Sequence, residues 1–99
     1  MGLRISDPPR KLRARIARAN NTSYLAETDG EVEAQCSTEN VELQGFTDNL
    51  DPPATKIASS NTGTSAAHIT NAGTITFQVI KGDYWKVINA TTVFWLPEN

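Results

Sequence analysis

The sequence has one cysteine, one histidine and no long apolar run, and each scarcity excludes a class of protein. Cys36 is the only thiol among the 99 residues, so no internal disulfide is possible. No apolar run follows the charged N-terminus, and none is long enough to cross a bilayer. We therefore expect neither a signal peptide nor a membrane span. His68 and the scattered acids offer no metal-ligand spacing, so we expect no metal and no cofactor.

Patterns that mark catalysis are missing as well. Cys36 lies in an alternating stretch and no basic residue is marked as its partner, so a small buried apolar side chain is the simpler interpretation. Glu31 and Glu33 share one face of a predicted strand, which fits a solubilising edge better than the facing carboxylates of a polysaccharide-acting enzyme. The stretch 61–64 lacks the lysine of a phosphate-binding loop. The sequence thus predicts a protein that is not an enzyme.

What the sequence does have is strand-period alternation, most clearly near its C-terminal end. Apolar and polar residues alternate over 74–79, a turn signal follows at 81–83, and strand-like runs cover 84–88 and 91–96. We predict that these three strands form an antiparallel meander. Shorter runs of the same character come earlier in the chain, at 22–26, 31–37, 41–46, 54–60 and 66–70.

Residues 10–19 fit two patterns. Leu12 and Ile16 are four residues apart, as on an amphipathic helix, whereas Leu12, Ala14 and Ile16 also alternate as in a strand. The β character of the rest of the chain favours the strand. We predict an all-β fold, an antiparallel, jelly-roll-like β-sandwich of about eight short strands over 10–99. An extended N-terminal arm, residues 1–9, precedes it.

The charges are divided unevenly along the chain. Residues 1–24 carry six cations and one acid, a net +5, while residues 25–99 carry three lysines and ten acids, a net -7. A basic segment on an acidic body can be solvated, or it can bind nucleic acid or an acidic protein surface. No aromatic residues are interleaved with the cations, which makes nucleic acid an unlikely partner.

The last predicted strand is apolar on both faces, because residues 93–96 are all apolar. Each sheet of a two-layer sandwich leaves one face to solvent unless something covers it. Either the strand is covered within the protomer or its outer face packs against another copy. We predict a trimer interface at Trp85, Phe94, Trp95 and Leu96.

Several short motifs follow one another in a familiar order. The segment 22–26 (Thr-Ser-Tyr-Leu-Ala) is followed by 28–30 (Thr-Asp-Gly) and by a strand from Val32. Far downstream come 79–84, with a Lys-Gly-Asp turn at 81–83, and an aromatic last strand over 91–97 that ends in proline. This order, over about residues 10–97, resembles a small β-sandwich of bacteriophage structural proteins: tail-fibre tips, head fibres and capsid decoration proteins. That fold is similar to the trimeric jelly rolls of the tumour-necrosis-factor and complement C1q type. The chain has Glu27 where the pattern usually has proline.

The resemblance implies a homotrimer in a virion. The lack of a fibre shaft favours a capsid decoration (cement) protein that binds the capsid exterior as a trimer and stabilises it, after synthesis in the host cytoplasm. The arm would contact the major capsid protein through its cations, which are Arg4, Arg10, Lys11, Arg13 and Arg15. The alternative is the receptor-binding tip of a tail or head fibre, with loops 47–53 and 59–65 binding a host glycan and Tyr or Trp stacking on its sugar rings.

Overall fold

The computed structural model describes residues 15–62 and 73–98 of the chain. All regular secondary structure in these two ranges is β-strand. The strands are β1 (Ile16–Arg18), β2 (Tyr24–Leu25), β3 (Gly30–Cys36), β4 (Glu42–Asp48), β5 (Lys56–Asn61), β6 (Gly73–Val79), β7 (Tyr84–Ile88) and β8 (Thr92–Pro97). The prediction of an all-β fold is confirmed. No membrane-spanning helix occurs in these two ranges.

The strands form two antiparallel four-stranded sheets that pack face to face. One sheet has the order β1-β8-β3-β6 and the other has the order β2-β7-β4-β5. The last strand therefore lies between the first and the third, and the seventh lies between the second and the fourth. This is the strand order of a double-sheet jelly roll, so the predicted sandwich is confirmed.

The predicted meander of the last three strands is wrong. β6 and β8 both pair with β3 in one sheet, whereas β7 pairs with β2 and β4 in the other. The chain crosses between the sheets at 80–83 and again at 89–91. Alternation reports which side of a strand is buried, and it carries no information about which strand lies beside it.

The core lies between the two sheets and is built from the alternating apolar residues. Along β6 every second residue is buried, and β3 follows the same rule from Gly30 to Cys36. Three aromatic rings stack through the core. The ring centroids of Tyr24 and Trp85 are 4.9 Å apart, and those of Trp85 and Trp95 are 5.6 Å apart. Cys36 is buried, as its alternating context predicted.

Some predicted elements lie outside the described residues. These are the arm 1–9, the part of the 10–19 strand before Arg15, and the short strand 66–70 with His68. Within the described part of 10–19, Ile16–Arg18 is a strand that pairs with β8. This agrees with the strand interpretation of that segment.

Two of the motifs that carry the family resemblance, the segment up to Gly30 and the Lys-Gly-Asp turn, meet in space. Gly82 N donates to Ala26 O at 2.8 Å, and Ala26 N donates to Asp83 O at 2.9 Å. The Asp29 carboxylate accepts a hydrogen bond from Lys81 N at 2.7 Å. Residues about fifty positions apart thus form one hydrogen-bonded unit that fixes the crossing between the sheets. Both motifs have a structural role in this fold.

Candidate interaction surfaces

The predicted interface residues have little free surface within the protomer. Trp85 is 1% exposed and Trp95 is 7% exposed, because both stack in the core. Val93 and Trp95 face inward, so Phe94 and Leu96 lie on the outer face of the same strand. Leu96 is nevertheless only 7% exposed, and Phe94 is half-buried. The trimer itself stays a prediction, but Trp85 and Trp95 offer almost nothing to a partner.

The outer face of the β1-β8-β3-β6 sheet, called here the Phe94 face, is mostly polar. Its outward side chains are Arg15, Ala17, Glu31, Glu33, Gln35, Thr74, Thr76, Gln78, Thr92, Phe94 and Leu96.

Phe94 is covered by its own neighbours on this face. The Arg15 guanidinium carbon lies 5.4 Å from the centre of the Phe94 ring, within cation–π range. Arg15 Nη2 also contacts Glu33 Oε1 at 2.9 Å. The ring is therefore shielded by a cation whose charge is already balanced. Arg15 is the one described member of the predicted capsid-binding set, and Arg4, Arg10, Lys11 and Arg13 lie outside the described residues.

A shallow depression lies beside Phe94 on the same face. Its volume is about 270 Å³, and Glu33, Gln35, Thr74 and Thr76 are among the residues that line it. Small-molecule sites usually measure about 300–1,000 Å³ and are mainly apolar. A depression of this size, with threonine and charged walls, does not have the character of such a site.

A larger groove opens between the edges of the two sheets, beside β1 and β2. It measures about 440 Å³ and is lined in part by Ile16, Tyr24 and Trp95. The Tyr24 ring already stacks on Trp85, and the Arg18 guanidinium carbon lies 5.3 Å from its centre. The Tyr24 hydroxyl accepts a hydrogen bond from Ala19 N at 2.8 Å. The Tyr24 ring is thus already in contact with Trp85 and Arg18, so it is poorly placed to stack on a sugar.

The loops of the glycan-binding alternative have no aromatic residue. Asp48, at the end of β4, organises the connection to β5, because its carboxylate accepts hydrogen bonds from Leu50 N, Ala54 N and Thr55 N. The hydrogen bond from Leu50 N is the largest cause that lowers the pKa of Asp48; burial opposes it, and the bonds from Ala54 and Thr55 lower the pKa further. Residues 63–65 of the second loop lie outside the described residues.

The outer face of the β2-β7-β4-β5 sheet, called here the Lys86 face, is more apolar. Its outward side chains are Leu25, Glu42, Gln44, Phe46, Asp48, Lys56, Ser59, Asn61, Tyr84, Lys86 and Ile88.

The apolar members of the Lys86 face are neighbours. Leu25 is directly opposite Tyr84, and Phe46 is directly opposite Lys86. Tyr84, Lys86 and Ile88 follow one another at every second position of β7, and Leu25 is 49% exposed. Phe46, Tyr84 and Ile88 are half-buried, and none of them belongs to the packed core.

The charges of the Lys86 face differ in how they are paired. Lys56 Nζ contacts Glu42 Oε2 at 3.0 Å, and Gln44 Nε2 donates to Glu42 Oε1 at 3.2 Å. No side-chain hydrogen bond or ion pair joins Lys86 to any residue of the described ranges. Lys86 is thus a cation flanked by Phe46, Tyr84 and Ile88, with Gln44 and Asp48 at the diagonal positions of β4.

The sequence analysis did not identify the Lys86 face, although part of the signal was there. Phe46 has the same parity as Glu42 and Gln44 in the predicted 41–46 strand, which places its ring on the outer side. The pairing of that strand with β7 was the missing information, because it brings Tyr84 and Lys86 beside Phe46.

Within 15–62 and 73–98, no group of His, Cys, Asp and Glu side chains is arranged to hold a metal ion. The chain matches no protein-family model, no curated protein and no solved structure.

Proposed function

We propose that the protein is a structural component of a bacteriophage virion, a capsid decoration protein that binds the capsid exterior as a trimer and stabilises it. The observation that supports this most is that two motifs of the family resemblance, one ending at Gly30 and the other at 81–83, are hydrogen-bonded to each other. Asp29 and Lys81 belong to different motifs and are hydrogen-bonded at 2.7 Å, inside a sandwich of the kind that the resemblance implies. The motifs therefore act together as determinants of that fold.

The charge layout supports a mechanical role. Five of the six cations of residues 1–24 precede β1, and the ten acids of residues 25–99 are distributed over the sandwich. In this proposal Arg10, Lys11 and Arg13 contact acidic groups of the major capsid protein, and the sandwich bridges neighbouring coat subunits. Such a bridge resists the outward pressure of the packaged genome. Its charge contacts are weakened by salt, because exposed ion pairs are screened over about 8–10 Å at physiological ionic strength.

Co-sedimentation with capsids assembled without this protein tests the proposal. We expect the intact protein to sediment with the capsids and to raise the temperature at which they open. Deleting residues 1–9 and reversing the charges of Arg10, Lys11 and Arg13 should abolish binding. Lys81→Glu is the matched control, because Lys81 is an exposed lysine on the sandwich and its reversal should leave binding intact.

Each outcome bears on the proposal. Failure of the intact protein to bind capsids would remove the decoration function. Normal binding by the charge-reversed deletion would keep the function and remove the role of the arm. The receptor-binding alternative predicts binding to a host glycan, which a glycan array would detect, although no described observation favours it over decoration.

A further inference from the structure

We propose that the Lys86 face binds a second copy of this chain, and that this contact holds together the trimer; the inference rests on the proposed function. It places the self-association surface on the opposite sheet from Phe94 and Leu96. The reasons come from a comparison of the two outer faces.

The Phe94 face is largely satisfied within one protomer. Its one outward aromatic ring lies under Arg15, and the charge of Arg15 is balanced by Glu33 at 2.9 Å. Leu96 is 7% exposed, so it has little area left to bury. The remaining outward side chains are mostly threonine, glutamine and glutamate, which are at home in water.

The Lys86 face has the opposite character. Leu25 is directly opposite Tyr84, and Phe46 is directly opposite Lys86. Tyr84 and Ile88 lie two residues to either side of Lys86 on β7, so both are diagonal neighbours of Phe46, within reach of its ring. All four apolar side chains keep part of their surface exposed. Contiguous apolar side chains rimmed by polar ones mark contact surfaces in soluble proteins. Tyrosine and phenylalanine are enriched in such contacts. Lys86 lies among these side chains without a partner in the described ranges.

The charge of this face fits a second copy. The whole chain has a net charge of -2, but residues 25–99 have a net charge of -7, so the acidic bodies of two copies repel each other. Two of the three lysines in that range, Lys56 and Lys86, lie on this face together with two acids, Glu42 and Asp48. The face is therefore formally neutral, and two acidic copies can approach each other here without a net repulsion between the faces.

The charges are also arranged along the face. Lys86 is on the β2-β7 half, whereas Glu42, Asp48 and Lys56 are on the β4-β5 half, which has a net charge of -1. A contact between the β2-β7 half of one copy and the β4-β5 half of the next brings opposite charges together. Such a contact is heterologous, and a heterologous contact closes into a ring when the rotation between copies divides a full turn. Three copies related by a third of a turn meet that condition.

The test compares one substitution on the two faces. Phe46→Glu puts a carboxylate at the centre of the Lys86 face, and Phe94→Glu puts the same group on the opposite sheet. Both phenylalanines are half-buried and point outward, so the variants are matched in burial and direction. They differ in the cross-strand partner of the new carboxylate, which is Lys86 for Phe46→Glu and Glu33 for Phe94→Glu. Light scattering after gel filtration measures the mass of each, and near-ultraviolet circular dichroism of the Trp85–Trp95 stack reports whether each is folded.

We expect the wild type and Phe94→Glu to have three times the protomer mass of 10.8 kDa, and folded Phe46→Glu to have the mass of one protomer. A wild type that is monomeric at every concentration would overturn the inference. So would a trimeric Phe46→Glu, and dissociation of Phe94→Glu alone would assign the interface to the other sheet. If Phe46→Glu does not fold, Leu25→Lys replaces it, because Leu25 is 49% exposed on an edge strand. We expect folded Leu25→Lys to dissociate on dilution while the wild type stays assembled, and a variant that stays assembled as well as the wild type would overturn the inference.

Capsid binding separates this inference from the proposed function. If the wild type is a trimer that Phe46→Glu dissociates, but it does not bind capsids, the inference stands and the decoration function is removed. If the wild type is a monomer that binds capsids, the decoration function stands and the inference is removed.

Discussion

Replacing Gly30 by alanine should destabilise the sandwich strongly, because β3 passes Trp95 and β8 without room for a side chain. A methyl group at Gly30 would lie 2.5 Å and 2.7 Å from two carbons of the Trp95 ring, and 2.8 Å from the Leu96 carbonyl oxygen. Contacts of this length require something to move. Overpacking of a closed core costs about 1–3 kcal/mol.

The expected cost of Gly30→Ala is at the upper end of that range, about 3 kcal/mol. Rotation of Trp95 could relieve two of the three contacts, but that ring is stacked on Trp85. The third contact is with the backbone of a strand that pairs directly with β3. Natural domains are stable by about 5–15 kcal/mol, so the loss is a large fraction of the total.

Urea unfolding followed by tryptophan fluorescence measures this cost, and a double-mutant cycle with Trp95→Phe identifies its source. The smaller ring removes the contacts at 2.5 Å and 2.7 Å and leaves the carbonyl contact. We expect Gly30→Ala to cost at least about 1 kcal/mol less in the Trp95→Phe background than in the wild type. An equal cost in both backgrounds, or a cost below about 0.5 kcal/mol in the wild type, would refute the steric argument.

Three further outcomes can be checked on the isolated protein. The pKa of Asp48 is lowered, so the ordering of its loop is present above the unfolded pKa of about 4 and is lost as pH falls through the folded value. Over that range the protection of the Leu50 amide, measured relative to its intrinsic exchange rate at each pH, should decrease, and Asp48→Asn should remove this pH dependence. The thiol of Cys36 is buried, so it should react with a thiol reagent only when the sandwich opens. Its labelling rate should therefore follow the fraction of unfolded protein in urea, and rapid labelling of the native state would contradict the buried position. Asp29→Ala should cost about 1–2 kcal/mol, because Lys81 N loses its acceptor, and Lys81 amide exchange should increase more than exchange in β4; equal increases would contradict a local effect.

Much of the fold could be predicted because it depends on local pattern. The alternation of 74–79 and 31–37 gave the correct strands and the correct buried sides, and turn residues marked most of the boundaries. Alternation is a property of one strand and its own two faces. The positions of Cys36 and of the inward residues of β3 follow from it directly.

The candidate surfaces could not be predicted in the same way, because they depend on which strands are neighbours. The tryptophans looked like interface anchors in the sequence, yet Trp85 and Trp95 come from different sheets and meet in the core. Phe94 looked exposed, but β1 brings Arg15 over its ring. Phe46 belongs to an apolar surface only because its strand pairs with β7, which places it opposite Lys86. Each of these outcomes depends on long-range pairing, which is not encoded in local periodicity.

The position of β8 between β1 and β3 also sets the order in which this chain can be built. During synthesis β1 leaves the ribosome long before β8, its one partner strand in residues 15–62 and 73–98, because Ile16 pairs with Trp95. β7 completes the centre of the second sheet only shortly before β8 emerges. Pairings across such long loops carry a large closure entropy and are typical of proteins that fold in milliseconds to seconds. A nascent chain that stops before residue 92 leaves one edge of β3 uncovered and β1 without its partner β8. We therefore expect resistance to proteolysis to appear late, when β8 joins β1 to β3 and closes the first sheet.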